Sequence, residues 1–532
     1  MLCDATNKVA VELLRKRKQR PNKPFAVLMK DIETVNRYAI ISLEEEIELT
    51  SPARPIVICS LKSDQSIIAI EQVAPQLNSV GVMLPCAPLL TIIANNFDKP
   101  LVATSANCSG ETIIYKEKDA FDKLPLYADY ILNFDREIIT PQDDSVLHFS
   151  PKYKQRIVLR RSRGFAPNYF PNTVKLKDNV LACGADMKSA FVLTSSDYLY
   201  ISQHLGDLSS FDAQLNFENT YEHLSNLLAI KPKAVLVDKH PGYYSRSIGE
   251  EIAQPGQLPV IAIQHHQAHA SAVMAENNLF GLQEDLLCVV WDGTGYGDDG
   301  KIWGGEFFTY SNSEFKRACY WKEYTQLLGD KMSKEPRLSA LSMLNEINDT
   351  SVNDYFSPIE LDHFSKQLNA PNQLKTTSTG RIIDAVAAIL GLVDKNTFEG
   401  EAAMKLEAIA RQYETSMVFY PIAIDNETIK WNEMIAGIVI DKEQGVDNTI
   451  IASKFFHTLV RIIRLVAQIK GCRNIAFSGG VFQNGLLTDL IIDELSGDYN
   501  CYFHQFLSPN DECIAFGQLA YYKYVLNENK DL

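Results

Sequence analysis

His265 and His269 stand four residues apart in the run Val260 to Asn277, VIAIQHHQAHASAVMAEN. On a helix that spacing stacks both imidazoles on one face, near enough to share a single metal ion. An isolated pair of this kind more often packs or caps. The continuation favours the metal. Leu286 to Trp291 reads as a buried strand ending in Asp292-Gly293-Thr294-Gly295. A carboxylate at a strand end supplies a third, hard ligand, and Gly293 and Gly295 let backbone N–H groups approach an anion. A zinc-protease site is excluded, because His266 stands where His-Glu-x-x-His would place its glutamate base.

A second group of residues is cationic. Leu13 to Met29, LLRKRKQRPNKPFAVLM, predicts a short basic helix broken by Pro21, then a strand from Phe25. Lys18, Arg20 and Lys23 around the two prolines would stand at the strand entry, where Arg offers a fork and Lys a point charge to triphosphate oxygens. A solvated basic face or an RNA patch is the other use of such a run. Arg54 in Ser51-Pro52-Ala53-Arg54-Pro55, and Ser105 and Asn107 in Thr104-Ser105-Ala106-Asn107, each precede or end a strand and are candidates to line the same pocket.

The elements that must position these groups are those of an α/β protein. Strands are expected at 180–183, 190–194, 198–202 and 234–237, with a helix at 217–228. A second set comprises helices at 382–390, 402–411 and 450–469 and a strand at 474–477. Two mixed α/β lobes with the ligand between them follow from that order. Gly479-Gly480 after the last strand permits close approach to a nucleotide phosphate or sugar, or is a plain strand-to-helix turn. Asp384 and Glu399, at the edges of apolar helices, are the candidate polar contacts.

Composition bounds the rest. The 532 residues require more than one core, and no run approaches the roughly 20 apolar residues of a membrane-spanning helix. The 10 cysteines are scattered without a Cys-x-x-Cys pair, which fits a reducing cytoplasm rather than a disulfide framework. A net charge of −15 argues against nucleic acid as a partner of the surface at large.

Taken in order, KxRPxxKP from Lys18, SPxRPIVI from Ser51, GVMLP from Gly81 and TSAN from Thr104 resemble the YrdC-like domain, which binds ATP and makes a carbamoyl-type adenylate. Asp143 to Val146 and Leu159 to Pro167 match the end of that domain as it occurs in the HypF carbamoyltransferases of [NiFe] hydrogenase maturation. The stretches Ser202 to Leu208, His240 to Tyr243, Asp292 to Glu306, Thr376 to Gly391, Phe398 to Ala403, Ser478 to Asn484 and Ser508 to Gln518 resemble the TsaD-like domain of the same family.

The resemblance implies a YrdC-like α/β domain over 1–168, entered without its first strand and helix, and a two-lobed actin-like, TsaD-like domain over 178–532. It implies ATP with magnesium, and iron or zinc on His265, His269, Asp292 and Asp511. Lys18, Arg20, Lys23, Arg54, Ser105 and Asn107 would hold ATP and carbamate. Gly293, Gly295, Asp384, Glu399, Gly479, Gly480 and Asn484 would serve nucleotide in the second domain. Lys18 and Arg20, with His265, His269 and Asp292, would be catalytic. The acceptor would be the C-terminal cysteine of a HypE-like partner, and carbamate or carbamoyl phosphate the small substrate.

Departures are visible too. Family members begin with an acylphosphatase-like domain and two Cys-rich zinc modules, which are expected to be lacking here. Cys86-Ala87 stand for Tyr-Thr, Phe134 for His and Pro141 for Arg. A tRNA threonylcarbamoyladenosine-type enzyme, an antibiotic O-carbamoyltransferase and a non-catalytic protein binding nucleotide or HypE are the rival readings.

Overall fold

A computed structural model describes the chain except residues 63–66, 78, 108–109, 134–135, 168, 172–173, 177, 196–197, 414–417 and 528–532. Phe134 therefore lies outside the described residues. Among those described, the strands form three sheets.

The first sheet has eight strands in the order Leu2–Asp4, Leu101–Ala103, Ala26–Leu28, Ser79–Met83, Ile56–Leu61, Val146–Phe149 and Arg156–Arg160, with Ala39–Ile40 added beside Ile56–Leu61. Its edge is Leu2–Asp4, antiparallel to Leu101–Ala103. Val27, Val57, Val82, Val102 and Leu147 are fully buried and join the strands in one core. Each such side chain contributes about 1.5–3 kcal/mol, whereas an exposed pair such as Lys366 with Asp362 is worth under about 1 kcal/mol. Apolar burial therefore holds the sheet.

The basic helix runs Lys8–Lys18 and is only in part a solvated face: Lys8 and Lys16 are exposed, but Arg15 and Lys18 are buried. The Arg15 guanidinium donates to the carbonyls of Arg20 (2.8 Å), Pro21 (3.0 Å), Lys23 (3.1 Å) and Val73 (2.9 Å). One five-donor fork thus ties the proline-broken segment 20–23 to Val73, whose carbonyl also accepts the Phe25 N–H.

The second sheet has six strands, ordered Val260–Ile263, Ala234–Asp238, Val180–Ala182, Val192–Thr194, Tyr198–Ile201 and Tyr169–Pro171. The third has nine, with Glu314–Trp321, Ile302–Ser311, Leu286–Tyr296 and Asn474–Ser478 at its centre and Asn500–Tyr502 at one edge. The helices expected at 382–390, 402–411 and 450–469 are Thr379–Ile389, Glu401–Ala410 and Asn448–Lys470.

One expectation is corrected. The strand from Leu286 does not stop before Asp292 but continues to Tyr296, with a register shift between Trp291 and Gly295. The intervening residues form an irregularity, after which Gly295 pairs with Trp303 and Tyr296 with Ile302. A bulge re-aims Asp292 without ending the strand.

The helix His265–Glu276 lies between the second and third sheets. Ala268, Ala272 and Ala275 face the second sheet's core, and Ala270, Val273 and Met274 the third's. The small residues Ala268, Ala272 and Ala275 on that face let helix Ile514–Tyr521 cross so closely that a Cβ at Gly517 would lie 1.9 Å from the Ala268 carbonyl oxygen. Small residues thus fix the depth of the histidines.

Candidate metal centre and nucleotide pocket

His265 and His269 are completely buried, on the first turns of that helix. Their Nε2 atoms have no hydrogen-bond partner. His265 Nε2 stands 3.8 Å from Asp292 Oδ2 and 3.8 Å from Asp511 Oδ1; His269 Nε2 stands 3.7 Å and 3.5 Å from the same two atoms. Ligand atoms of all four residues lie within 4.8 Å of one another. Separations of this size are those between ligands sharing one ion at about 2.0–2.2 Å each. Two orphaned imidazole lone pairs facing two carboxylates fit a divalent transition metal, iron or zinc by donor type.

The electrostatics agree with that fit. Burial works against charge on His265, but Asp238, then Asp292 and Asp511, outweigh it and push the imidazole up to about 10. His269 is likewise raised, despite its burial, by Cys513, Asp292 and Asp511, and Asp292 is driven well below the carboxylate range by the two imidazoles. Asp511 is raised by burial and by Asp292. The centre of the cluster favours a cation.

Residues that sequence reasoning missed orient these ligands. His265 Nδ1 lies 2.9 Å from Asp238 Oδ2, the carboxylate that ends strand Ala234–Asp238. His269 Nδ1 lies 3.2 Å from Ser478 Oγ and 3.4 Å from Cys513 Sγ. Ser478 Oγ in turn meets His504 Nε2 at 2.9 Å, and His504 Nδ1 meets Glu276 at 2.7 Å. An aspartate closing an apolar strand just before His240-Pro241-Gly242 was the one available signal.

The glycines called from sequence act by absence of a side chain. A Cβ on Gly295 would lie 2.5 Å from the His266 ring and 2.7 Å from that of His265. Gly479 has φ 103°, and a Cβ there would lie 2.2 Å from the Trp291 carbonyl oxygen. That approach lets the Gly480 N–H donate to Asp292 Oδ1 at 3.1 Å. Gly293 keeps more room, with the Arg381 guanidinium 3.8 Å from a notional Cβ. Asn484 caps helix Gly485–Leu495, its side-chain oxygen accepting from the Leu487 N–H at 2.8 Å. Asp384 is buried 2.9 Å from Arg381, off the line of a hydrogen bond, and burial, opposed by Arg381, raises it to about 6.

In the first sheet, the Lys18 ammonium donates to the carbonyl oxygens of Ser105 (2.7 Å) and Asn107 (2.5 Å) and to Asn107 Oδ1 (3.2 Å). Ser105 Oγ donates to Asn107 Oδ1 at 2.7 Å. These three residues are thus one knot. Arg20 donates to the Lys23 carbonyl at 3.1 Å and to that of Pro24, with its guanidinium 4.8 Å from the Phe25 ring centroid. Arg54 adopts φ 46° in the loop before strand Ile56–Leu61. The Lys23 side chain reaches solvent, yet desolvation within the cleft, then Arg20 and Arg160, lower it to about 8.

The two groups approach each other across Glu399. Its carboxylate pairs with Lys188 and is held acidic by Lys188 first and, more weakly, by Lys23. Beside it, Asn22 Nδ2 donates to Glu401 Oε1 at 3.1 Å.

A small α/β nucleotide-type domain joined to a two-lobed α/β domain with a His-His-Asp-Asp centre defines the class as YrdC-like plus Kae1-like. Residues 1–162 match the YrdC family described as Telomere recombination, 175–276 the HypF Kae1-like domain, and 288–518 the carbamoyltransferase Kae1-like domain, second subdomain. Carbamoyltransferase HypF of Synechocystis sp. is 35% identical over 545 residues, covering 98% of this chain and 69% of that protein. The crystal structure of a full-length HypF in a phosphate- and nucleotide-bound form superposes with TM-score 0.90 at 33% identity, over 99% of this chain and 83% of the other. HypF of T. kodakarensis superposes at 0.91 with 31% identity, over 99% and 71%. The chain belongs to the HypF carbamoyltransferase family.

Proposed function

We propose that the chain forms carbamoyl-adenylate from ATP and carbamate in its first part, 1–168, and passes the carbamoyl group to a protein thiol in its second, 178–532. The cluster of His265, His269, Asp292 and Asp511 carries this reading, because its histidines are fully buried while its two carboxylates are each 7% exposed, which leaves an open side for substrate as a catalytic metal requires.

In the first part Lys23 and Arg54 neutralise the triphosphate, accompanied by magnesium. Lys18 holds the Ser105–Asn107 loop in register. A carbamate oxygen attacks the α-phosphorus, and the bond to pyrophosphate breaks with its electron pair leaving on pyrophosphate.

In the second part, a divalent iron or zinc held by the four ligands would supply Lewis-acid polarisation of a carbamoyl or phosphate oxygen. Asp238 accepts the Nδ1 proton of His265, which leaves the Nε2 lone pair directed at the cluster. The Gly480 N–H does the same for Asp292 by engaging Oδ1 and leaving Oδ2. Burial excludes the water that would hydrolyse a mixed anhydride. The acceptor thiolate, on the C-terminal cysteine of a HypE-like protein, attacks the carbamoyl carbon; the carbon–oxygen bond to phosphate breaks and AMP departs.

Mass spectrometry of a HypE-like acceptor incubated with the chain, ATP and bicarbonate plus ammonia tests the proposal. A carbamoyl adduct on the terminal cysteine, absent without ATP, is expected. Carbamoyl phosphate in place of bicarbonate and ammonia shows whether carbamate must be released elsewhere. No adduct from either source overturns the reading.

A further inference from the structure

The four candidate ligands are not anchored alike. His265 and His269 sit on a helix enclosed by the second and third sheets, and Asp292 sits in a central strand of the third. Asp511 opens the single turn Asp511–Cys513, which follows a loop. That turn is held by a different part of the chain. The carboxylate of Glu512, 4% exposed, accepts the backbone N–H of Arg161 at 3.0 and 2.9 Å. Asn510 Nδ2 donates to the Leu159 carbonyl at 3.1 Å, while its Oδ1 accepts the Glu512 N–H at 3.0 Å. Leu159 closes on the last strand of the first sheet, Arg156–Arg160, and Arg161 follows it.

The same segment is fixed on its own side. The Ser162 N–H donates to Ser145 Oγ at 2.8 Å, and the Arg163 guanidinium donates to the carbonyls of Ala53 (2.9 Å) and Arg54 (2.8 Å). The backbone 161–163 therefore links the two sides: Arg163 is bonded to the Arg54 loop, and Arg161, two residues earlier, donates to Glu512, the neighbour of Asp511. A buried carboxylate is costly unless hydrogen-bonded, and for Glu512 the Arg161 N–H supplies that bond.

We infer that Glu512 and Asn510 are positioning residues through which the first sheet sets Asp511 in the metal cluster, so that the cluster is complete only while the two parts are docked. The inference rests on the metal reading of the cluster. Ligand-orienting partners of this kind typically govern metal affinity by about 10–100-fold. Neither residue touches the reacting atoms.

Cobalt(II) is the probe, added to the full chain and displaced by a chelator. Glu512→Gln leaves the Arg161 N–H one uncharged acceptor oxygen in place of a carboxylate, and Asn510→Ala removes the bond to Leu159. Both should weaken cobalt binding by about 10-fold or more, and both should alter the visible absorption of the cobalt-saturated protein. A change of fold stability alone would not move that spectrum at saturation. Asp362→Asn, in an exposed ion pair, serves as the control. Unchanged affinity and spectrum in both variants, with cobalt binding abolished in His265→Ala, overturn the positioning role and leave the metal reading intact. No cobalt uptake by the unaltered chain overturns both. Should Glu512→Gln fail to fold, Asn510→Ala decides the matter alone.

Discussion

Asp238 shows how much a ligand depends on what stands behind it. It is buried, ends an all-apolar strand, and meets His265 Nδ1 at 2.9 Å. Asp238→Asn keeps the shape but removes the charge that fixes the His265 tautomer; metal affinity should fall about 10–100-fold in a chelator competition. Retained affinity would mean that the helix alone orients the ring. Lys23 offers a pH test. Its folded value of about 8 means that the ammonium is charged below that pH and neutral above it. Nucleotide affinity should therefore weaken as pH rises from 7 to 9.5, and Lys23→Arg, permanently charged, should flatten the profile. A flat profile in the unaltered chain would remove Lys23 from the pocket. His265, His269 and Asp292 were legible as residues from spacing alone, and Asp511 only through resemblance. Ser478, Cys513 and Lys188 were not, because nothing local marks a side chain whose partner lies hundreds of residues away.

At the scale of elements, the third sheet and the turn after Asn474–Ser478 act together. Gly479, with φ 103° and a backbone oxygen where its Cβ would be, is what lets Gly480 reach Asp292. Gly479→Ala should destabilise the chain by about 2–4 kcal/mol in denaturant unfolding, combining backbone strain with the displaced Trp291 carbonyl. A loss below 1 kcal/mol would show that the turn relaxes freely. Periodicity located the helices at 382, 402 and 450 well, since their apolar faces pack on the large core of the third sheet. It misread the strand at Asp292, because a bulge looks in sequence like a terminating turn. It located the Lys8–Lys18 helix and its stop before Pro21, but nothing periodic marked Arg15 as an internal donor.

For the molecule as a whole, the interface between the first sheet and the rest is polar and specific. Asp489 accepts the backbone N–H groups of Lys152 (2.6 Å) and Tyr153 (3.0 Å), and His148 Nε2 meets the Gln483 carbonyl at 2.9 Å. Asp489→Ala removes the acceptor of two N–H groups on exposed residues, each bond worth about 0.5–1.5 kcal/mol. The two parts should then unfold in separate steps rather than together, which fluorescence and circular dichroism in denaturant would resolve. Coincident transitions would show that the remaining contacts suffice for docking. Among the described residues, no helix is long and apolar enough to cross a membrane.

The amino-acid sequence by itself determined the α/β class, the order of the two domain types, the paired histidines and the family, since these rest on spacing within a helix, apolar runs and ordered local motifs. Tertiary structure decided which cations face solvent and which hold carbonyls, where Asp292 points, and what fixes each ligand. Those outcomes depend on contacts between residues far apart in the chain. Asp511 is the plainest case: its neighbour Glu512 is bound by Arg161, 351 positions earlier, and no local pattern encodes that distance.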